Sequence, residues 1–265
     1  MKLKINIVDA FTNELFKGNQ AAVIILKEWL SEETMQNIAI ENNLSETAFL
    51  VEDENRVFNI RWFSPITEID FSGHATLASA FILFNENKQL NSLKFYAKAI
   101  GEFEVTLEKD DYIQMNFPNR KPSKLELIPK ELLNGLSIKP KEVYLNNQAY
   151  FAIYENENEV LEVSYLKEEL EKLVPYDVVV TAKAQNKEYD FISRYFWPAN
   201  GGEEDPVTGS IHTGLAPFWQ ERLNKDTLIA LQASKRTGVL ICKIQKHRVL
   251  LLGKAVQYLE GYINI

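Results

Sequence analysis

Apolar and polar side chains alternate from Leu3 to Asp9, the period of two expected of a strand with one covered face. The polar stretch Thr12 to Gln20 then leads into a short apolar run, Ala21 to Leu26, which predicts a second strand behind a Gly18-Asn19 turn. Ser31-Glu32-Glu33 has the form of a helix cap followed by first-turn acids, and this helix is expected to end near Asn42-Asn43. A polar turn at Leu44-Ser45-Glu46 opens a strand to Val51, and Arg56 to Phe63 is a further strand stopped by Pro65. A mostly apolar helix is predicted over residues 74–85. Strands follow at 92–97, 102–108 and 111–117, with Asp110-Asp111 as a hairpin turn. Residues 118–129, with Pro118, Pro122 and Pro129 among lysines, read as a linker.

The second half replays the first. Val143 to Ile153 predicts a strand pair, Ser164 to Leu173 a capped helix, and Asp177 to Ala182 and Tyr189 to Phe196 two strands. Ile211 to Arg222 predicts a central helix, followed by strands at 227–233, 237–244 and 247–253. The signature Arg61-Trp62-Phe63-Ser64-Pro65 returns as Arg194-Tyr195-Phe196-Trp197-Pro198, and Gly73-His74 returns as Gly209-Ser210. A repeat half a chain long means duplicated domains, since solenoid units are shorter. The expected domains are 1–118 and 119–265, with the tail 256–265 an extra strand that returns to the first. Ala75, Leu77, Ala78, Ala80, Phe81 and Leu83 surround the axis of the 74–85 helix, leaving it no wet face. The expected fold is therefore α+β: two pseudo-symmetric domains, each a barrel-like curved sheet around a buried helix.

Composition narrows the function. The 265 residues are 46% hydrophobic and 25% charged, as in a globular protein, and the net charge of −8 argues against nucleic acid as a partner. No apolar run reaches the length of a membrane span, and Met1-Lys2-Leu3-Lys4-Ile5 lacks a signal peptide's apolar core, so no membrane association and a cytoplasmic location are expected. The single cysteine, Cys242, and three scattered histidines predict neither a disulfide nor a metal site.

Only the amino ends of the two buried helices are placed to do chemistry. The first N–H groups of a helix lack internal acceptors and sit at its positive end, where an anion gains hydrogen bonds and charge stabilisation together. Gly73 and Gly209 also read as close-packing residues, with His74 and Ser210 as ordinary first-turn polar residues. Their repetition favours a shared site for one small acid, in a cleft between the two halves. His212, Trp62 and Trp197 read as packing, and Asn200-Gly201-Gly202 as a flexible segment or a plain turn.

Four motifs carry a resemblance. Asp9-Ala10-Phe11-Thr12 with Phe16-x-Gly18-Asn19-x-Ala21-Ala22-Val23 is the first, and Leu44-Ser45-Glu46-Thr47-Ala48-Phe49 the second. The third is Phe63-x-Pro65-x-x-Glu68-x-Asp70-Phe71-x-Gly73-His74-Ala75-Thr76, and the fourth Glu204-Asp205-Pro206-Val207-Thr208-Gly209-Ser210. In this order the chain resembles the PhzF-like phenazine-biosynthesis isomerases, which are similar in fold to diaminopimelate epimerase. The resemblance implies a homodimeric isomerase that uses no cofactor and shifts a proton within a small carboxylic acid. It makes Glu46 the acid/base, with His74 and Asp205 assisting catalysis. Asn19, Gly73, Gly209 and Ser210 would bind substrate. One carboxylate that takes and returns a proton must cycle between ionised and neutral forms. Where the family commonly has Gly-Asn-Pro, this chain has Gly18-Asn19-Gln20; where racemase relatives have two cysteines, it has Ser72 and Thr208. Two-thiol inversion is thereby excluded. An epimerase or lyase using Glu46 with Asp205, and a binding protein without turnover, are the competing readings.

Overall fold

The alternation at the start of the chain becomes β1, Lys2–Ala10, and the apolar run after it becomes β2, Asn19–Leu26. Helix α1, Glu32–Asn42, is capped by Ser31, whose hydroxyl accepts from the Thr34 N–H, and it ends at Asn43 in the left-handed region. Then come β3, Glu46–Glu52; β4, Val57–Phe63; and the two-residue β5, Glu68–Ile69. Helix α2, Gly73–Glu86, leads to β6, Ser92–Ala97; β7, Gly101–Leu107; and β8, Ile113–Pro118. The Asp110-Asp111 hairpin closes with both aspartates at positive φ, 58° and 61°, which a short polar side chain tolerates. The computed structural model describes residues 1–265 and divides into two units: 1–116 with 252–265, and 117–251.

In the first unit β2 pairs with β1 antiparallel and with β3 parallel; β4 joins β3 on one side and β6 on the other, and β7 and β8 follow. The C-terminal strand, Ala255–Asn264, pairs with β1 along its whole length and so belongs to this unit. The ladder curls over α2, which lies against β1, β2, β3 and the C-terminal strand. Eleven of the helix's 14 residues are buried. Each enclosed leucine, isoleucine or phenylalanine contributes about 1.5–3 kcal/mol relative to exposure. The hydroxyls inside it are satisfied locally: Thr76 donates to the Ser72 carbonyl and Ser79 to the Ala75 carbonyl. On the other face, α1 packs Met35, Ile38 and Ala39 against Ile24, Phe49 and Phe63. β2 is thus covered on both sides, which explains its unbroken apolar sequence.

The second unit repeats that order with additions. The expected linker contains β9, Ser123–Lys124, paired with β10, Glu142–Leu145, and it is followed by a short helix, α3, Lys130–Gly135. β11, Ala149–Ile153, runs antiparallel to β10 and parallel to β12, Asp177–Lys183. The single helix expected at 164–173 is instead two. α4, Glu157–Glu162, begins with a capping box in which Asn156 and Glu159 satisfy each other's backbone N–H groups. α5, Lys167–Leu170, follows without a side-chain cap and runs into a 3-10 turn. Ser164 caps nothing; its N–H donates to Ser137 Oγ. β13, Phe191–Phe196, carries β14, Glu204–Asp205, at one end, and α6, His212–Leu223, precedes β15, Thr227–Gln232; β16, Gly238–Gln245; and β17, Arg248–Gly253. Pro217 inside α6 offers no N–H to the Thr213 carbonyl. The Arg120 N–H takes that acceptor at 3.1 Å.

Candidate active site

The repeated Arg-aromatic-Phe sequence has a common physical task in both units. On β4, Arg61 Nε and Nη2 donate to the two carboxylate oxygens of Glu68 on β5, each at 2.6 Å. On β13, Arg194 does the same to Glu204 on β14, at 2.8 and 2.9 Å. Each guanidinium also lies over the phenylalanine two residues on, Phe63 or Phe196, 5.2 and 5.0 Å from the ring centre. A two-pronged ion pair of this kind is geometrically specific. It fixes the short strand from which the chain turns toward a helix start, so both copies hold their candidate chemistry on the same kind of clamp.

In the first unit three elements bring their first residues together. β2 begins at Asn19, β3 at Glu46 in parallel register with Ala21, and α2 at Gly73-His74. Gly18 makes the entry to β2 possible: its φ is +67°, and a Cβ there would lie 2.2 Å from the Ala10 carbonyl oxygen. Asn19 is fully buried, while the His74 and Glu46 side chains are 7% and 16% exposed. Ser45 Oγ donates to Asn19 Oδ1 at 2.9 Å, so the Asn19 amide turns its Nδ2 donor toward His74 Nδ1, 3.3 Å away. With the amide turned this way His74 Nδ1 accepts, and Nε2 is the ring nitrogen that faces Glu46 as donor. Nε2 lies 2.6 Å from Glu46 Oε2, close but off the straight line of an ideal hydrogen bond. Ser72 caps α2 by accepting from the Ala75 N–H. The set Ser45, Asn19, His74 and Glu46 is a chain of hydrogen-bonding groups that ends on a carboxylate.

In the second unit the candidate residues lie on one loop, Asp205 to Ser210, before α6. Asp205 is opposite Tyr195 in the β13–β14 pair, and the Thr208 hydroxyl donates to its carboxylate. Gln232, fully buried on β15, grips the loop three times. Its Nε2 donates to the Asp205 carbonyl at 2.9 Å and to Thr208 Oγ1 at 3.2 Å, and its Oε1 accepts from the Thr208 N–H at 2.9 Å. Ser234 Oγ donates to the Pro206 carbonyl. Gly209 and Ser210 form the turn that enters α6, which begins at His212 rather than Ile211. Gln148 Nε2 donates to Ser210 Oγ at 2.9 Å. His212 is wholly buried, and burial pushes its pKa down to about 4. The neutral ring donates from Nδ1 to the Thr208 carbonyl at 2.8 Å, so it braces the loop from within.

The seven residues singled out from sequence therefore form two groups. Asn19, Glu46, Gly73 and His74 meet in the first unit; Asp205, Gly209 and Ser210 share one loop of the second. Ser45, Gln148 and Gln232 were missed, because a lone serine or glutamine carries no pattern until its partners are in place. Trp62 is buried, while Trp197 is half-buried. No group of three or more His, Cys, Asp or Glu residues is arranged to hold a metal ion, and no helix is long and apolar enough to cross a membrane.

The fold and the sequence both match known proteins. A crystal structure of a PhzF-family phenazine biosynthesis protein from Enterococcus faecalis superposes with a TM-score of 0.94 at 42% identity, covering 100% of both chains. An uncharacterized isomerase from Halalkalibacterium halodurans is 44% identical over 98% of each chain, and one from Pseudomonas aeruginosa is 41% identical over 100% of each. At the level of fold alone, a hydroxyproline epimerase from Agrobacterium vitis superposes with a TM-score of 0.60 at 9% identity, covering 99% of this chain and 92% of that one. The profile of the phenazine biosynthesis-like (PhzC-PhzF) family matches residues 8–261. With that match over nearly its whole length, the chain belongs to the phenazine biosynthesis-like family.

Proposed function

We propose that this protein is an isomerase that moves a proton between two carbons of a small carboxylic acid, with Glu46 as the single acid/base. Curated relatives carry the name isomerase, and the enzyme class comes to this chain with the family. The observation that carries the finer reading is the Glu46–His74 pair. His74 Nε2 lies 2.6 Å from Oε2 of Glu46, an atom out of contact with solvent, and Oε1 is assigned to exchange the proton. Glu46 takes a proton as a C–H bond breaks, and the electron pair moves into the adjacent unsaturation. The neutral acid then returns the proton to another carbon, so no electron is gained or lost.

Gly73, Gly209 and Ser210 are assigned to the substrate's acid group, through helix-start N–H groups and one hydroxyl. Asp205 is assigned to its remaining polar groups. The assignment of both units to one ligand is part of the proposal. Cys242 supports carbon acid chemistry at a carboxylate rather than at a thiolate: it is fully buried in the second unit, and burial pushes its thiol pKa up. Small unsaturated and amino carboxylic acids incubated in D2O test the reading by mass spectrometry. One or more should take up deuterium in the presence of the protein, and Glu46→Gln should slow that uptake by about 100- to 10,000-fold, the usual range for a positioned proton-transfer group. Uptake at an unchanged rate in the variant would refute Glu46 as the base.

A further inference from the structure

The duplication gives Glu46 a counterpart. In the first unit the parallel pair β2–β3 sets Ala21 opposite Glu46, and in the second the parallel pair β11–β12 sets Ala149 opposite Asp177. Asp177 therefore occupies the register position of Glu46 in the other copy, and Gln148 that of Gln20. Ser210 follows Gly209 as His74 follows Gly73. In the first copy the acid meets the helix-start residue directly. In the second it reaches the helix start through two intermediates. Tyr195 Oη donates to Asp177 Oδ2 at 2.6 Å, and Gln148 Nε2 donates both to Tyr195 Oη at 3.1 Å and to Ser210 Oγ at 2.9 Å.

The bond directions in that chain follow from Asp177 as a carboxylate. Burial raises its pKa, and the two hydrogen bonds its oxygens accept, from Tyr195 and from Asn200 Nδ2 at 2.7 Å, oppose that rise by favouring the charged form. Tyr195, almost fully buried and with its pKa held well above the usual range by burial and by Asp177, keeps its proton and gives it to Asp177. Its oxygen can then only accept, so the Gln148 amide must turn its NH2 toward Tyr195. The same nitrogen meets Ser210, so Ser210 Oγ is an acceptor on its inner side and its own proton is left to point elsewhere. Gln148 Oε1 is buried without a partner, a cost of about 1–3 kcal/mol. Reversing the amide would relieve it only by setting two oxygens against each other at Tyr195. An amide passes no proton at neutral pH, so Asp177 has no route by which to act as a second base.

We infer that Asp177, Tyr195 and Gln148 are positioning residues that make Ser210 an obligate donor, so that the helix start of the second unit selects an oxyanion over a neutral amide. The inference rests on the assignment of Ser210 to the acid group and extends it to three residues that touch no ligand. Benzoate and its neutral isostere benzamide are suitable probes, titrated by calorimetry against the full-length protein. The wild type should bind benzoate at millimolar concentrations in preference to benzamide. Tyr195→Phe, which keeps the ring and removes only the oxygen, frees the amide to reverse and should reduce that preference about tenfold, the scale of one hydrogen bond to a charged group. In a Ser210→Ala background the same change should have no effect on the preference. Gln148→Met removes the donor itself and should reproduce the loss if Tyr195→Phe folds poorly. An unchanged preference in Tyr195→Phe and Gln148→Met, an equal loss in the Ser210→Ala background, or a wild type that takes neither probe or prefers benzamide would overturn the inference. Because benzoate binding needs no turnover, coupled binding without deuterium uptake by any acid would sink the isomerase reading and leave this one standing.

Discussion

Replacing Arg194 should cost far more stability than replacing Arg61, although the two occupy the same place in the repeat. Arg194 makes two bonds to Glu204 and three more, from Nη1, to the carbonyls of Val160, Leu161 and Val163 at 3.2, 3.3 and 2.8 Å. Those carbonyls are at the C-terminal end of α4, where the last acceptors of a helix have no internal donor. The Arg194 and Glu204 side chains are only 15% and 24% exposed. Arg194→Leu strands a half-buried carboxylate and uncaps the helix end, so it falls in the class of broken buried pairs, about 3–5 kcal/mol. Arg61 has no carbonyl partners; it is 28% exposed, its second acid Glu32 lies 74% in solvent, and screening reduces the loss to about 1 kcal/mol. Arg194→Lys should recover less than half of its deficit, since an ammonium cannot reproduce the planar fork. Urea unfolding followed by circular dichroism measures all three. Equal losses at the two arginines, or full rescue by lysine, would refute the argument that the carbonyl bonds decide the difference.

Other consequences test the site and its surroundings. Asn19→Leu removes the donor that sets the His74 tautomer and should slow deuterium uptake by about 10- to 100-fold with the protein folded, a smaller loss than that of Glu46→Gln. His212 is neutral in the fold with a pKa near 4 against 6.5 when unfolded. The unfolded chain therefore binds the extra proton first, and stability falls as pH drops from about 6.5 to 4, by about 3 kcal/mol in all. His212→Gln should flatten that part of the pH profile of urea midpoints; an unchanged slope would contradict it. Cys242, buried with its thiol pKa raised, should resist a thiol-directed reagent until the protein unfolds, and Cys242→Ala should leave deuterium uptake intact.

The strands and both central helices were legible because their burial is one- or two-sided and periodic: β1 alternates, β2 runs apolar, and α2 is apolar all round. The helix at 157–162 was not, since its cap is written with Asn156 and Glu159 in a run of acids and asparagines that reads as loop. Among the candidate residues, the duplicated glycine-polar helix starts and the duplicated arginine were visible as repeats. What the arginines do was not, because Glu68 and Glu204 stand at different distances along the chain from their partners. The Glu46–His74 contact joins residues from two elements that only the parallel β2–β3 pair and the seating of α2 bring together. Ser45, Gln148 and Gln232 act through single polar contacts, which leave no periodic trace.

One carboxylate, Glu46, is proposed both to remove and to restore the proton. Its most direct test is stereochemical. With any acid that takes up deuterium, the face from which hydrogen leaves and the face on which deuterium arrives are compared by NMR of the chiral products. A single Glu46 predicts that both events occur on the same face, with uptake lost in Glu46→Gln. Arrival on the opposite face would require a second acid and contradict the account.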